Sequence, residues 1–220
     1  MADEKKYLRS VFAETRRALA RNHVENSSAR VQARLLGLQV YSDFHSDFCA
    51  IVLYASKDNE VLTSQVAADA LGTGRALFYP RLSKNSGSLA LVRVADLTDL
   101  GELKAGAFGI PEPDGPSVDF DQLLDQFTSV LVCVPGVAFS VSGQRIGRGG
   151  GHYDRLLSEL GDAVTTVGLA YSFQVLDSLP QSPGDRRLDF IVTESTTHVC
   201  RPVLGRSSDA VEEGGVPKWR

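Results

Sequence analysis

Val130-Leu131-Val132-Cys133-Val134-Pro135-Gly136-Val137-Ala138-Phe139 is followed, after three residues, by Gly143-Gln144-Arg145-Ile146-Gly147-Arg148-Gly149-Gly150-Gly151-His152-Tyr153-Asp154-Arg155. Five apolar residues in a row, stopped by Pro-Gly, predict a strand covered on both faces, as in a parallel sheet flanked by helices. The glycine-rich stretch then starts from that strand's C-terminal end, where open α/β sheets bind ligands. It holds five glycines, three arginines and one acid in thirteen residues and runs into the helical Leu156-Leu157-Ser158-Glu159-Leu160. That composition suits an anion. Glycine lets backbone N–H groups approach closely, a helix N-terminus adds a positive dipole, and arginine gives forked donors for phosphate oxygens. A mobile surface loop is the plainer alternative, but such loops carry Ser, Asn and Lys at irregular spacing, not arginine interleaved with glycine. Neither common nucleotide loop is present. No Gly-Lys-Ser/Thr follows the glycines, and Gly147 to His152 lacks the last glycine of the dinucleotide fingerprint.

Outward from this stretch, Phe48 to Tyr54 is a second continuous apolar run and a second doubly covered strand. Val61 to Leu71 reads as a helix ended by Gly72, Ala76 to Tyr79 as a short strand stopped by Pro80, and Ser88 to Val94 as an antiparallel or edge strand. Val164 to Ala170 and Leu188 to Thr193 supply two more strands, the second carrying Asp189 toward the same layer. Near the N-terminus Leu8, Phe12, Thr15 and Leu19 share one helical face, while Lys5, Arg9 and Arg16 lie within about 40° of each other on another, at ~100° per residue. Strands alternating with helices predict the α/β class: one three-layer α/β/α domain over residues 1–204 with a mostly parallel sheet. Residues 205–220 have too little apolar content to fold alone and are expected to form a disordered tail.

With 220 residues, 43% of them hydrophobic, the chain is long enough for a sizeable core. No run of eighteen apolar residues and no secretory signal is visible, so a cytoplasmic protein is expected. A net charge of −4 with dispersed basic residues leaves no electrostatic footprint for nucleic acid. Cys49, Cys133 and Cys200 are odd in number and widely spaced, and they read as reduced core thiols.

The glycine-rich stretch resembles the signature of the 5-formyltetrahydrofolate cyclo-ligase family, Pro-Gly-x-Ala-Phe-Asp-x-x-Gly-x-Arg-Leu-Gly-Arg-Gly-Gly-Gly-Tyr-Tyr-Asp-Arg. This chain departs from it at Ser140, where the family usually has Asp, and at His152, where it usually has Tyr. Further similarities run in the same order from about residue 5 to 195. They are Lys5-Lys6-Tyr7-Leu8-Arg9, Glu60-Val61-Leu62-Thr63, Tyr79-Pro80-Arg81, Phe108-Gly109-Ile110-Pro111-Glu112-Pro113 and Arg187-Leu188-Asp189-Phe190-Ile191-Val192-Thr193-Glu194.

The resemblance implies a cytoplasmic enzyme of one-carbon metabolism that closes 5-formyltetrahydrofolate to 5,10-methenyltetrahydrofolate. ATP is the co-substrate and Mg²⁺ the cofactor, and the reaction passes through an iminium phosphate. Arg145 and Arg148 are the candidate catalytic phosphate clamp, with Gly147, Gly149, Gly150 and Gly151 as backbone donors and His152 and Tyr153 bordering both ligands. The resemblance adds Lys5 and Arg9 to the ATP site. It also places Asp154 and Asp189 as metal acids, of the hard oxygen type that Mg²⁺ prefers. For the folate it implies Glu60 at the pterin end, Ala55 in the same pocket, Phe108 as a stacking aromatic, and Arg148, His152 and Tyr153 as further contacts. Plainer roles exist for the acids: Asp154 and Glu60 each suit a helix N-terminus, and Asp189 can pair with Arg186 or Arg187. Ser140 can still accept a turn hydrogen bond. A non-catalytic folate-binding protein and an α/β enzyme acting on a phosphorylated small molecule are the competing functions. The expected partners are small molecules only, with no nucleic acid and no membrane, and the expected state is a monomer or weak homo-oligomer.

Overall fold

Apolar residues that alternate between two covered faces build the centre of the molecule. In strand β1 (Cys49–Val52), Cys49 and Ile51 join one core cluster, Ala50 and Val52 the other, and all four are buried. Strand β7 (Ser129–Val134) splits the same way, with Leu131 and Cys133 on one side and Val130, Val132 and Val134 on the other. The computed structural model describes residues 2–44, 49–82, 88–96, 104–106, 111–182 and 184–201, so the expected tail from 205 lies outside the described residues.

The remaining elements, in chain order, begin with α1 (Ala2–Arg17), α2 (Arg21–Leu36), α3 (Gln39–Ser42), α4 (Ser64–Gly72), β2 (Ala76–Leu82), β3 (Leu89–Val94), β4 (Lys104–Ala105), β5 (Pro111–Glu112), β6 (Ser117–Val118) and α5 (Phe120–Gln126). After β7 come β8 (Ala138–Ser140), β9 (Arg145–Ile146), α6 (His152–Leu160), β10 (Thr165–Leu169), β11 (Val175–Leu176), β12 (Phe190–Val192) and β13 (Thr197–Val199). The main sheet has the order β13-β12-β10-β7-β1-β2-β3-β6. Its five central strands, β12 to β2, are parallel, and β13, β3 and β6 pair antiparallel at the two edges. Helices α2, α3 and α4 cover one face with Val31, Leu35, Tyr41, Val66 and Ala70, while α5 and α6 cover the other with Phe120, Leu123, Leu156, Leu157 and Leu160. The three-layer α/β architecture expected from the alternating pattern is the one found.

Three local expectations are corrected. Pro80 does not stop its strand: β2 continues to Leu82, because beyond Phe78 it has left β1 and pairs with β3 alone, the edge setting in which proline is tolerated. The helix expected from Val61 starts at Ser64, because the preceding backbone is already engaged. The Tyr54 and Ser56 hydroxyls donate to the Val61 carbonyl, and Ser28 Oγ accepts the Leu62 N–H. Cys49 and Cys133 are core thiols as expected, but Cys200 is only half-buried.

A small second sheet, β11-β8-β9, carries the glycine-rich stretch. Its β8–β9 hairpin is closed at Ser140, which is fully buried and whose Oγ accepts the Gln144 N–H at 3.1 Å. The serine therefore supplies the turn hydrogen bond that the usual aspartate would. No helix among the described residues is long and apolar enough to cross a membrane.

Candidate active site

Two cavities of similar volume, about 210 and 200 Å³, lie at opposite ends of the parallel strands, so chemistry must decide between them. The first opens at the C-terminal ends of β1, β2 and β7. Glycine-loop residues Gly147 to Asp154 form one wall, and Tyr54, Ala55, Pro80, Leu82 and Leu89 form an apolar wall. Arg9, Glu60, Glu112 and Arg145 complete it. Flat apolar surface next to clustered charge suits a ligand with a ring at one end and an anion at the other.

The loop's shape follows from its glycines. Gly149 and Gly151 adopt φ of 104° and 66°, conformations that side chains rarely take, and Gly151 directly precedes α6. The first turn of that helix holds Asp154. Arg145 is almost fully buried: Nη2 donates to Asp154 Oδ1 at 2.5 Å, Nη1 donates to the Pro135 carbonyl at 3.1 Å, and its guanidinium lies over the Tyr153 ring. Its Nε is buried without a hydrogen-bond partner. An orphaned donor inside the protein costs about 1–3 kcal/mol.

Glu60 is the centre of a second charge cluster. Its Oε1 accepts from Arg16 Nη2 at 3.4 Å and from Arg148 Nη2 and Nε at 3.0 and 3.2 Å, while Oε2 accepts the Lys57 N–H at 3.1 Å. Arg148 Nη1 also donates to Asp58 Oδ2 at 2.7 Å. Burial alone would push the Asp58 carboxyl up, but the hydrogen bond and charge of Arg148 more than offset it and hold the group below its usual value. The reverse balance acts on Arg148: burial lowers its pKa, and the Glu60 and Asp58 charges raise it above the ordinary arginine value. Arg16 is 2% exposed and its pKa is lowered, because burial outweighs the opposing pull of Glu60. Burial, reinforced by the Glu60 charge, also raises the Tyr153 hydroxyl.

Helix α1 straps this site. The cation face seen in the sequence turns inward: Lys5 donates to Ser182 Oγ and pairs with Asp185, and Arg9 Nε donates to the Gly147 carbonyl at 2.9 Å. Arg16 Nε and Nη1 donate to the Asp58 and Gly136 carbonyls, both at 2.9 Å. Leu8 and Phe12 meanwhile pack on Ala138, Ile146 and Leu179.

Of the residues singled out in the sequence, Arg9, Ala55, Glu60, Arg145, Gly147, Arg148, Gly149, Gly150, Gly151, His152, Tyr153 and Asp154 all line this cavity. Lys5 does not, because Asp185 and Ser182 engage it one turn away from Arg9. Phe108 lies outside the described residues. Asp189 is not brought to Asp154. It precedes β12 at the N-terminal end of the parallel strands and lines the second cavity with Arg186, Arg187 and Arg201. There its Oδ2 accepts from the Thr166 N–H and Oγ1 at 2.8 and 2.7 Å, and Arg201 faces its Oδ1 at 3.5 Å. A carboxylate so committed among arginines cannot share a cation with Asp154 across the sheet. Its ion-pair partner among the described residues is Arg201, where the plainer reading offered Arg186 or Arg187. The sequence reading missed Asp58, Glu112 and the role of Arg16; for Arg16 the signal was its alignment with Lys5 and Arg9 on one helical face.

The model of the 5-formyltetrahydrofolate cyclo-ligase family matches residues 1–194. A probable 5-formyltetrahydrofolate cyclo-ligase of Caenorhabditis elegans is 32% identical over 150 residues, covering 66% of this chain and 72% of the relative. Among solved structures, the Aquifex aeolicus 5,10-methenyltetrahydrofolate synthetase is 30% identical and superposes with a TM-score of 0.72, covering 96% of this chain and 99% of that one. A second synthetase, from Mycoplasma pneumoniae, is 23% identical, covers 87% of this chain and 99% of its own, and with a TM-score of 0.63 supports the fold. On the match to the family model, with these relatives beside it, the chain belongs to the 5-formyltetrahydrofolate cyclo-ligase family.

Proposed function

We propose that this protein closes 5-formyltetrahydrofolate to 5,10-methenyltetrahydrofolate at the expense of ATP, releasing ADP and phosphate. The observation that carries the reading is the cavity itself, which sets a buried carboxylate and an apolar wall opposite a glycine loop flanked by Arg145 and Arg148. A formyl oxygen on nitrogen is a poor leaving group. Its attack on the γ-phosphorus, with ADP departing, yields an iminium phosphate. Nitrogen 10 then attacks the activated carbon and loses its proton, and phosphate leaves with the former formyl oxygen. Such chemistry needs positioning and charge neutralisation more than a base.

Glu60 accepts paired N–H donors of the aminopyrimidine ring, and Tyr54, Pro80, Leu82 and Leu89 hold the pterin on its flat side. Amides of Gly147, Gly149, Gly150 and Gly151 approach the nucleotide phosphates, and the Arg145 guanidinium in the cavity wall adds positive charge beside them. Arg148 neutralises the transferred group, while Arg9 anchors the loop through the Gly147 carbonyl. For Mg²⁺ the fit rests on Asp154, a partly exposed carboxylate in the cavity wall beside that loop; one carboxylate with water and nucleotide phosphates is a usual Mg²⁺ set. When bound there, the ion supplies positive charge to the phosphates.

The test is a coupled measurement. With Mg²⁺ and ATP, 5-formyltetrahydrofolate should produce the near-ultraviolet absorbance of the methenyl product, and ADP should appear only when the folate is present. ADP release without folate, or flat absorbance from folded protein, would sink the assignment.

A further inference from the structure

Arg148 is turned away from the phosphates in this structure, because four of its five N–H groups, with at least one on each nitrogen, donate to the opposite wall. Nε and Nη2 donate to Glu60 Oε1, Nη1 donates to Asp58 Oδ2, and Nη2 also donates to the Lys57 carbonyl. The residue proposed for the phosphate therefore occupies the carboxylate proposed for the pterin. The turn that presents Asp58 is built for that position at a cost. Asp58 and Asn59 are the only non-glycine residues with positive φ among those described, at 52° and 58°. Left-handed backbone of this kind persists where surrounding contacts hold it. Here Asn59 Nδ2 donates to the carbonyls of Arg16, Arg17 and Leu19, and Arg16 Nε donates to the Asp58 carbonyl. The turn is thus fastened to the end of α1, and its half-exposed carboxylate accepts from Arg148.

We propose that Asp58 is a positioning residue that parks Arg148 on Glu60 until folate arrives, so that folate binding strengthens nucleotide binding; this rests on the roles of Glu60 and Arg148 proposed above. The ring N–H donors of a pterin compete with Arg148 for Glu60 Oε1, and Arg16 remains as the counter-charge of the buried carboxylate. Losing Glu60, Arg148 keeps only the half-exposed pair with Asp58, a weak hold, and turns to the phosphates. The coupling is reciprocal: nucleotide that draws Arg148 away vacates Glu60 for the folate.

The experiment measures calorimetric affinity for Mg²⁺ with a non-hydrolysable ATP analogue, with and without saturating 5-methyltetrahydrofolate, which lacks the formyl oxygen and cannot react. The wild type is expected to bind the nucleotide about 5-fold or more tightly with the folate present, within the usual range of coupling between sites. Asp58→Asn, nearly the same shape and at home in left-handed backbone, keeps the Glu60 bonds to Arg148 and is expected to bind the nucleotide more tightly without folate and to lose part of the enhancement. Nucleotide affinity indifferent to a folate that does bind, or an Asp58→Asn protein with wild-type coupling, overturns the inference while leaving the proposed activity intact. Absence of any folate binding removes the activity and the inference together.

Discussion

At the scale of single residues, the two ion pairs of Glu60 separate folding from chemistry. Glu60 keeps Arg16 as a partner when Arg148 is removed, so Arg148→Ala leaves no buried charge alone. We expect a variant with a near-normal melting temperature that loses about 2.7–4 kcal/mol of transition-state stabilisation, the usual effect of deleting one preorganised charge-stabilising donor. Steady-state kinetics beside a thermal melt checks this, and near-normal turnover would take Arg148 out of the mechanism. The two aspartates divide in the same way. Asp154→Asn is expected to raise the Mg²⁺ concentration needed for half-maximal rate. Asp189→Asn should leave that titration unchanged and lower stability by about 1–3 kcal/mol, because Thr166 and Arg201 lose a charged acceptor in the interior. Matching metal titrations for the two variants would overturn the separation. Residue types announced the loop, the arginines and both acids, but nothing local distinguishes an aspartate beside the glycine loop from one held by Thr166 and Arg201 at the other end of the strands. Which strand end a residue occupies is set by register, and that was legible only in three dimensions.

Among the elements, α1 shows how charge can dock a helix whose outer face stays in solvent: Tyr7 and Val11 are exposed, while Lys5, Arg9 and Arg16 point inward. Its N-terminal anchor is the Lys5–Asp185 pair. Burial pushes the Asp185 carboxyl up, but the Lys5 hydrogen bond, the Ser182 N–H and the Lys5 charge together hold it below its usual value. A carboxyl depressed in the folded state stabilises above its unfolded pKa of about 3.9 and loses that contribution as pH falls through the folded value. Amide protection in the first turns of α1 should therefore drop below about pH 4 ahead of the sheet. Asp185→Asn should show the loss already at neutral pH and with little further pH dependence. Hydrogen exchange along α1 measures both, and equal acid sensitivity of the two proteins would remove the anchor. Strands β1 and β7 were legible because doubly buried strands must be continuously apolar. Helix α2 was not, since its inner face mixes Val24, Val31 and Leu35 with Ser27, Ser28 and Gln32. Two of those polar side chains serve backbone elsewhere: Gln32 Oε1 accepts the Gln65 N–H at 2.8 Å and Ser28 Oγ accepts that of Leu62. An apolar period interrupted in this way carries no signal until its long-range partners are known.

Across the whole molecule, the cavity and the core are joined through one ring. Phe139 is fully buried between two glycines, Gly136 at the cavity wall and Gly168 in the middle of β10. A methyl group on Gly168 would lie 2.7 Å from Ile191, 2.8 Å from the Phe139 ring and 3.0 Å from Leu188, closer than packed atoms tolerate. Gly136 is as tight against the same ring, and its carbonyl accepts from Arg16, whose guanidinium also holds Glu60. Two alanine substitutions should thus strain the same phenylalanine with different consequences. Gly168→Ala is expected to cost about 1–3 kcal/mol by over-packing, a fall of roughly 2–12 °C in melting temperature for a chain of this size, with the folate KM little changed. Gly136→Ala should lower the melting temperature similarly and also raise the folate KM, because displacing the turn disturbs Arg16 and through it the Glu60 carboxylate. Thermal melts with KM values for both substrates decide the matter. If the two variants raise the folate KM equally, the strain spreads through the sheet as a whole; if only Gly136→Ala does, Arg16 is the link by which the core holds the site in shape.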